Sequence, residues 1–503
     1  MASLLDTLAR PAAILQLLAL LGVTFVLLKV LQFYWEKKKI FKALEAFPGP
    51  PKHWLHGHNH MVRSELGSAR VGLSQPCKVP VGMRRTRWGV RVPAPVPSYR
   101  RGLLHRECQD PKGDVPYKLI VPWIGEGLLV LNGNKWFHHR KMITPAFHYD
   151  VLKSYVTLMS NSVKVMLDKW DKKITEKKSV ELFQDVGLMA LDSIMKCAFS
   201  FNSDCQTERS VDSHYYIKAV YELSHLLSRR IQTFSFKDIF YDWTPSGRRY
   251  RDACKVAQTH TGIPVIQERK RLLSNEKERE KIQKKKHLDF LDILLCSKDA
   301  NGAALSDEDL RAEVDTFMFE GHDTTTSGIS WIFYCMSLYP EHQQRCREEI
   351  QGILGDRDYV EWEDLGKMPY TTMCIKESLR LFPPVPAVSR QLSKPVTFPD
   401  GRSLPAGLLS LNRDVWEDPE VFDPLRFSPE NSAHRHSHAF VPFSAGSRNC
   451  IGQQFAMNEM KVALALTLRH FEIHPDPSRI PIMIPQIVLK SKNGVYVQLK
   501  KIL

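Results

Sequence analysis

The longest apolar pattern in the sequence is a run close to the N-terminus. From Pro11 to Leu28 the residues are apolar except for Gln16 and Thr24, roughly the length at which a helix spans a bilayer. A cleaved signal peptide is the alternative, but it carries its positive charges before the run, whereas the lysines between positions 29 and 42 follow it. Because positive residues favour the cytoplasmic side, the pattern predicts residues 1–46 as a membrane anchor with a basic flank and the remaining chain in the cytosol.

Two later stretches repeat apolar residues at helical spacing. The first runs from Ser306 to Tyr339, where Ser306 and Asp309 predict a capping box and Pro340 ends the helix. Such a helix is roughly 50 Å long at about 1.5 Å per residue, enough to cross a domain. The second stretch, 453–464, follows Cys450 directly. This cysteine is therefore predicted where a loop enters a helix N-terminus, and the helix dipole there favours an anion.

Composition describes an ordinary globular chain of 503 residues, with 43% hydrophobic and 25% charged residues. The net charge of +15 suits an acidic protein partner, an anionic membrane or a nucleic acid, and charge alone does not choose among them. The ten cysteines contain no Cys-x-x-Cys pair, which argues against zinc ribbons and thioredoxin chemistry. Their scattered spacing argues against a disulfide framework, so reduced cytosolic thiols are expected.

The segment after the anchor falls into two parts. Residues 47–60 begin with three prolines within Phe47–Pro51, which predict a stiff hinge at the start of the catalytic domain. Residues 61–108 are basic and proline-rich and supply about half of the net charge. Prolines at positions 93, 95 and 97 are expected to break both helix and strand. A nucleic-acid arm, a disordered insert and a foreign stretch of sequence are the alternatives, and no function is assigned to this part.

A ten-residue stretch, FSAGSRNCIG, surrounds Cys450. A single thiolate can serve as the axial ligand of haem. Gly446 and Gly452 permit turns and close backbone approach, Phe443 can shield the sulfur from water, and backbone N–H groups can tune it. The planar fork of Arg448 can reach an acidic group at the ring edge. The alternative is that Cys450 is a small buried hydrophobic residue.

The middle of the predicted 306–339 helix reads EGHDTTT. A glycine, an acid and consecutive β-branched residues are poor helix formers, so their presence suggests a function. Gly321 would let a ligand lie against the helix, Thr324 can hydrogen-bond bound oxygen, and Asp323 can help relay protons from solvent.

These motifs resemble those of one known family. Phe-x-x-Gly-x-Arg-x-Cys-x-Gly is similar to the haem-binding signature of the cytochrome P-450 superfamily, and the EGHDTTT segment resembles its oxygen-activation motif. Phe319-Glu320-Gly321 resembles the fatty-acid ω-hydroxylase branch, family four, in which this glutamate can form an ester to a haem methyl group. The alternative is that Glu320 faces solvent or pairs with a base.

Further residues match the same family. Trp136 and Arg140 stand one helical turn apart, and the resemblance implies that this helix contacts a haem propionate; a core Trp beside a surface Arg is the alternative. Arg390 is implied as another propionate contact. Glu377 and Arg380, with Arg426, resemble the family's buried Glu-Arg-Arg cluster, which would fix the chain beneath the haem without doing chemistry. An ordinary surface pair of Glu377 and Arg380 is the alternative.

The resemblance implies a mainly α protein with small β-sheets, in which a long central helix lies over haem b and residues 109–503 form the haem-thiolate domain. It implies a monooxygenase of the endoplasmic reticulum membrane with its catalytic domain in the cytosol. The electrons would come from NADPH through a flavoprotein reductase, with cytochrome b5 as a further candidate partner. The substrates would be fatty acids or lipophilic xenobiotics, and no nucleic-acid partner is expected. Arg140 and Lys141 are candidate docking residues for the reductase.

Two departures from the family keep other functions open. The first departure is that residues 61–108 do not match the family's helix and first strands. The second lies between Gly407 and Asn412, where the family has a further strand and a turn and this chain has only residues 408–411. That is about ten residues fewer than a usual strand and turn require. A catalytically silent variant is one alternative. A reductase-independent haem-thiolate isomerase of lipid peroxides is another, although Thr324 and Asp323 argue against it.

Overall fold

The computed structural model describes residues 11–44, 84–86, 89–93 and 110–502. Within the last range it leaves out short stretches at 177–178, 203–204, 208–210, 234–240, 261, 285–287, 298–303, 398–400, 402, 405–406 and 413–417. The predicted hinge at 47–60 and most of the basic segment 61–108 therefore lie outside the described residues.

Helices dominate the described chain, which confirms the predicted fold class. In chain order they are α1 Pro11–Leu44, α2 Asp114–Ile124, α3 Gly133–Ile143, α4 Tyr149–Thr175, α5 Leu182–Phe199, α6 Val211–Thr233, α7 Pro245–His260, α8 Gly262–Leu273, α9 Glu276–Gln283, α10 Phe290–Cys296, α11 Asp307–Leu338, α12 Pro340–Leu354, α13 Trp362–Leu365, α14 Pro369–Leu381, α15 Pro429–Ala433 and α16 Gln453–His470.

The strands form four small sheets. They are β1 Arg84–Thr86, β2 Gly89–Pro93, β3 Val180–Glu181, β4 Val388–Leu392, β5 Val396–Thr397, β6 Ser403–Leu404, β7 Gly407–Asn412, β8 Phe471–Pro475, β9 Met483–Pro485, β10 Leu489–Ser491 and β11 Tyr496–Lys501. The largest sheet has the order β1-β2-β7-β4, the second has β3-β11-β8, and β5-β6 and β9-β10 are antiparallel pairs.

The two departures noted in the sequence both contribute strands to the largest sheet. The family's first strands, which the sequence of 61–108 did not match, are represented by β1 and β2, and β2 ends at Pro93, the first of the three prolines expected to break a strand. The short segment 407–412 forms β7, which pairs parallel with β2 and antiparallel with β4. The segment that looked shortened in the sequence therefore forms a paired strand of this sheet.

Helix α11 passes through the core of the protein. It begins after Ser306, whose hydroxyl accepts a hydrogen bond from the Asp309 N–H, as predicted. Nearly every residue from Ala312 to Ser337 is buried, and α11 packs against α5, α16, α14 and α2. Since it is covered on all sides, its sequence is apolar around most of its circumference instead of along one stripe.

Helix α1 differs from α11 in that its apolar window is uncovered. Its window Leu15–Gln32 has a mean hydropathy of 2.0, and none of that window is buried. Large apolar residues of this window, such as Leu15 and Phe25, are more than half exposed. By length and composition this helix is a candidate membrane anchor, in agreement with the apolar run in the sequence.

Gly321 allows two helices to approach each other closely. A β-carbon at this position would lie 2.7 Å from Cγ1 and 2.8 Å from Cδ1 of Ile194. Ile194 belongs to α5, so the missing β-carbon lets α5 and α11 pack together. Gly321 is also partly exposed, and the ligand expected against it stays a prediction.

We therefore expect Gly321→Ala to destabilise the protein by about 1–3 kcal/mol, the usual range for overpacking a core. Thermal unfolding of the purified protein measures the effect. Gly352→Ala is the matched control, because Gly352 lies within α12 and a β-carbon there meets no atom within 4 Å. This control should gain stability from the better helix propensity of alanine.

An Ile194→Ala background tests the cause. The clashing side-chain atoms are absent there, so adding Gly321→Ala should bring no further loss of stability. A penalty that persists in that background would rule out the contact with Ile194 as its source.

Candidate functional site

The cysteine loop ends where α16 begins. The Cys450 N–H donates to the Phe443 carbonyl at 2.8 Å, and the Asn449 N–H donates to the Gly446 carbonyl at 3.2 Å. Gly446 has a φ of 76°, a left-handed conformation that glycine adopts without strain. Ser444 is also left-handed, with a φ of 62°, and its residue type did not indicate this conformation. These two hydrogen bonds close the loop as a tight double turn that ends at Cys450, three positions before α16 begins at Gln453.

Gly452 caps α16 with an ordinary φ of −85°. A β-carbon there would be 3.9 Å from Cys450 Sγ and from Phe147, which is normal packing distance. The left-handed turn predicted from the two glycines is thus present at Gly446 and absent at Gly452.

The Cys450 side chain is accessible, whereas six of the eight described cysteines are buried. Protein nevertheless surrounds the sulfur, and this burial raises the pKa of the Cys450 thiol to about 12, while the Gly452 backbone N–H and Arg140 lower it. The helix N-terminus alone therefore does not ionise this thiol. Coordination by a metal ion deprotonates a thiol outright, so a thiolate here depends on its ligand.

Arg140 holds the loop from the side of α3. Its guanidinium donates from Nη1 to the Asn449 carbonyl and from Nη2 to Asn449 Oδ1, both at 2.9 Å. Burial lowers the pKa of Arg140, whereas Cys450 and Glu320 raise it. Arg140 is half-buried and Lys141 is exposed. Of the two predicted docking residues, only Lys141 therefore presents its charge to solvent.

Trp136 lies one turn earlier in α3 and is buried. The guanidinium carbon of Arg448 stands 4.4 Å from the Trp136 ring centroid, a cation–π contact. Arg448 also donates to the Leu131 carbonyl at 2.8 Å. These contacts fix the Arg448 side chain between the cysteine loop and α3.

A group of basic residues converges from separate elements. Arg390 on β4 is only 2% exposed and donates to the Ser389 carbonyl at 3.0 Å. Tyr117 on α2 is close enough to Arg390 and Arg448 that both lower its pKa, although burial raises it overall. The Lys112 ammonium lies 3.4 Å from the Tyr117 hydroxyl and 4.6 Å from its ring centroid. Lys112 and Tyr117 were missed in the sequence because no spacing connects them to the cysteine loop.

Three residues in the middle of α11 interrupt its burial. From Ala312 to Ser337, only Glu320, Gly321 and Thr324 are partly exposed. Glu320 and Thr324 are four residues apart and share a face. Burial and, to a smaller extent, Glu313 raise the pKa of Glu320, Lys112 and Arg140 lower it, and the net result is a pKa of about 7. Both protonation states of Glu320 are therefore populated near neutral pH.

The three consecutive threonines donate back to carbonyls one turn earlier. Thr324 Oγ1 donates to the Glu320 carbonyl at 2.7 Å, and Thr325 and Thr326 donate to the carbonyls of Gly321 and His322. The Thr324 oxygen keeps its acceptor lone pairs for another partner.

Asp323 does not face solvent. It is 1% exposed, and its Oδ1 lies 2.9 Å from Nζ of Lys490, which is 7% exposed. Lys490 belongs to β10, far along the chain, so sequence analysis could not pair the two residues. A second buried acid that was missed is Glu459 on α16, whose pKa is raised to about 8 by burial.

The predicted Glu-Arg-Arg residues lie together, with Glu377 and Arg380 buried and Arg426 partly buried. Glu377 Oε2 is 2.7 Å from Arg380 Nε, and Glu377 Oε1 is 3.5 Å from Arg426 Nε. Glu377 Oε1 also accepts the Asp423 N–H at 2.9 Å, and Arg380 donates to the carbonyls of Pro419 and Val421. The cluster ties α14 to the segment that precedes the cysteine loop.

The donor set fits haem. An accessible thiol, the partly exposed Glu320 and the guanidinium of Arg140 share one electrostatic neighbourhood, and Thr324 follows Glu320 by one turn on the same face of α11. Buried or half-buried cations at Arg390, Arg448 and Lys112 lie near Tyr117. A thiolate and several cations suit a ring that carries iron at its centre and two carboxylates at its edge.

We expect Arg140→Gln to accelerate the loss of haem about tenfold, which corresponds to about 1.4 kcal/mol, within the range for a charged hydrogen bond. Transfer of haem to apomyoglobin measures the rate. Lys141→Gln removes the same charge from the adjacent exposed position and should leave the rate unchanged. Equal effects of both variants would point to net charge and against the Asn449 contact.

Comparisons with known proteins show the family of the whole chain, including this site. A family model described as cytochrome P-450 matches residues 48–498. Cytochrome P-450 4A24 of Sus scrofa is 54% identical over 98% of this chain and 99% of its own length, and cytochrome P-450 4B1 of Rattus norvegicus is 54% identical over 94% of each chain. The taurochenodeoxycholic 6 alpha-hydroxylase of Sus scrofa is 54% identical over 98% of this chain and 99% of its own. The predicted family and its haem b cofactor, held by a cysteine thiolate, are confirmed: the chain belongs to the cytochrome P-450 superfamily, as a member of family four.

Proposed function

We propose that this cytochrome P-450 is a membrane-anchored monooxygenase that hydroxylates fatty acids at or near the chain end. The observation that carries the proposal is the pairing of the accessible Cys450 thiol with the partly exposed Glu320 and Thr324 in an otherwise buried helix. Haem bound by Cys450 would supply the activation of O₂. The protein would supply position, polarity and protons.

Each predicted site residue has a proposed task in holding haem. Cys450 would ligate the haem iron, and Phe443 and Gly446 shape the loop that presents its sulfur. Arg390 and Arg448 would neutralise the propionates, with Trp136 supporting Arg448 through the cation–π contact. Lys112 and Tyr117 join this set. Arg140 acts on the loop through Asn449.

Thr324 and Asp323 are the proposed catalytic residues. Thr324 lies on the same face of α11 as Glu320, and its free lone pairs can accept a hydrogen bond from bound oxygen species or water. Asp323 is adjacent in sequence and would pass protons to this hydroxyl. The cluster of Glu377, Arg380 and Arg426 is proposed to be structural, because its charges are satisfied by one another and by backbone groups.

The electron donor is proposed to be an NADPH-dependent flavoprotein reductase, with cytochrome b5 as a second candidate. The exposed Lys141, one residue from Arg140, and the net charge of +15 suit an acidic partner. The exposed apolar helix α1 supports a location in the endoplasmic reticulum membrane with the catalytic domain in the cytosol.

The relatives and one sequence segment bear on which substrate the protein hydroxylates. Family-four relatives and the Phe319-Glu320-Gly321 segment favour fatty acids, and lipophilic xenobiotics are a further class. A relative at the same 54% identity is named for hydroxylation of a bile acid. A conjugated bile acid is therefore a second candidate substrate and belongs in the same assay.

Two alternatives make different predictions. A peroxide isomerase would turn over lipid peroxides without NADPH or reductase. A silent variant would fail to bind haem through the thiolate, and the pairing of β7 with both β2 and β4 speaks against a failure at the short 407–412 segment.

A carbon monoxide difference spectrum tests the proposal. The reduced wild-type protein should give a red-shifted Soret band, and Cys450→Ser should lose it, because the shift requires thiolate ligation. Cys296→Ser, at the other exposed described cysteine, should keep the band. Hydroxylated fatty acid should form only with NADPH and reductase. A band that survives Cys450→Ser would contradict the proposed ligand.

Glu320 gives a second prediction. If it forms an ester with haem, acidic organic extraction should leave most of the haem on the wild-type protein and release it from Glu320→Ala. Glu341→Ala, which removes an exposed glutamate at the start of α12, should behave as the wild type. Freely extractable haem in wild-type protein that has turned over would end the ester hypothesis.

A further inference from the structure

A buried lysine contacts the proposed proton-relay acid. Nζ of Lys490 lies 2.9 Å from Oδ1 of Asp323, with exposures of 7% and 1% for the two residues. No other hydrogen-bond partner is found among the described residues for the ammonium group or for either carboxylate oxygen. Two opposite charges are thus buried with little support except each other.

The backbone around Lys490 is held independently of this pair. Ser327, one turn after Asp323 on α11, donates from Oγ to the Leu489 carbonyl at 2.6 Å. The Leu489 N–H donates to the Pro384 carbonyl at 2.8 Å. Strand β10 is therefore attached to α11 next to Lys490 by neutral hydrogen bonds, so the fold does not need the ion pair for this attachment.

The Lys490 side chain is confined as well as buried. Its ammonium lies 3.6 Å from the ring centroid of Tyr221 on α6, a close cation–π contact. The Tyr221 hydroxyl donates to the Phe183 carbonyl at 3.1 Å, which fixes the ring. The ammonium therefore has one position available, over the ring and against Asp323.

Asp323 stands beside the partly exposed face of α11. At about 100° per residue, it is about 60° around the helix from Glu320 and about 100° from Thr324. The other titratable groups near Asp323 are His322 on α11 and Tyr216 and Tyr221 on α6. Burial lowers the pKa of His322 and raises the pKa of both tyrosines, so all three favour the neutral form. Lys490 is then the positive charge placed against Asp323.

A sparsely supported buried ion pair is a poor stabilising device. Replacing such a pair by apolar residues is often neutral or stabilising, whereas removing one partner leaves a buried charge that tends to neutralise itself. A pair of this kind, next to a face that needs protons, suggests a role in setting the state of the acid.

We propose that Lys490 is a positioning residue that holds Asp323 as a carboxylate at the edge of the Glu320–Thr324 face, so that Asp323 accepts a proton only in passing. This inference rests on the proposed monooxygenase function. In each relay event one proton arrives on the Asp323 carboxylate and leaves toward the Thr324 hydroxyl, and Asp323 returns to its ionised state. Lys490 keeps its own proton throughout.

Lys490→Met tests the proposal in the haem-loaded, full-length protein. Without the ammonium, the Asp323 carboxylate should take up a proton and remain neutral. Infrared spectroscopy at neutral pH should then show the carbonyl band of a buried carboxylic acid that the wild type lacks, and the Asp323→Asn/Lys490→Met double variant should lose that band. This readout does not depend on turnover. Absence of the band in Lys490→Met would overturn the proposal.

The effect on turnover is measured as product formed per NADPH consumed. We expect Lys490→Met to lower this ratio about tenfold. A positioned proton donor contributes a rate enhancement of roughly 10²- to 10⁴-fold, and the variant should lose only part of it. Lys492→Met removes the same charge from an exposed position two residues later and should change nothing. Lys490→Arg should restore part of the ratio, because it returns a cation.

The double variant separates positioning from stability. If the ion pair were purely structural, the Asp323→Asn/Lys490→Met double variant would recover both the midpoint of thermal unfolding and the ratio of product formed to NADPH consumed. Our proposal predicts recovery of the midpoint alone, since no relay acid remains. If Lys490→Met does not fold, Lys490→Gln replaces it in both measurements. A wild-type protein without the red-shifted carbon monoxide band would refute the proposed function, while the infrared result would still decide the role of Lys490.

Discussion

The burial of α11 along almost its whole length is the constraint on which the rest of the structure depends. A helix covered on all sides must satisfy every polar side chain locally or with a buried partner. The threonines do so by donating to carbonyls one turn earlier, Ser327 by donating to Leu489, and Asp323 by facing Lys490. Only Glu320, Gly321 and Thr324 keep exposure within this buried stretch. The face that can meet a ligand is therefore small, polar and defined by the packing around it.

The second element of the site is the cysteine loop, and its position depends on long-range contacts. The bond from Cys450 to Phe443 closes the loop upon itself, but Arg140 and Trp136 on α3 fix it relative to the core. Arg140 binds both oxygens of Asn449, so it acts one residue away from the sulfur instead of on a distant surface. The same contact explains why Arg140 is a poor docking residue and why Lys141, adjacent in sequence, is available for that purpose.

Sequence analysis could predict what is encoded locally. The capped helix from Ser306, the helix after Cys450 and the left-handed Gly446 follow from capping residues, apolar spacing and loop glycines. Residues paired across the fold had no local signal: Lys490 is 167 positions after Asp323, and Lys112 lies far from Arg390. The packing role of Gly321 was missed for a related reason. A glycine in a helix signals close approach, and only the packing of α5 identifies Ile194 as the group that approaches.

Two buried ionic groups in this protein differ in the number of hydrogen-bond and ion-pair partners they have. That difference distinguishes a structural role from a catalytic one. Glu377 has two arginine partners and a backbone N–H, and Arg380 also donates to two carbonyl groups, so the charges of both residues are met by several partners. Asp323 has one partner, which is itself held over an aromatic ring. A carboxylate with few bonds can change its protonation state without breaking a network, whereas a fully bonded one cannot. This difference is the physical reason why proton transfer is proposed for Asp323, the acid with fewer partners, and a structural role for the cluster of Glu377, Arg380 and Arg426.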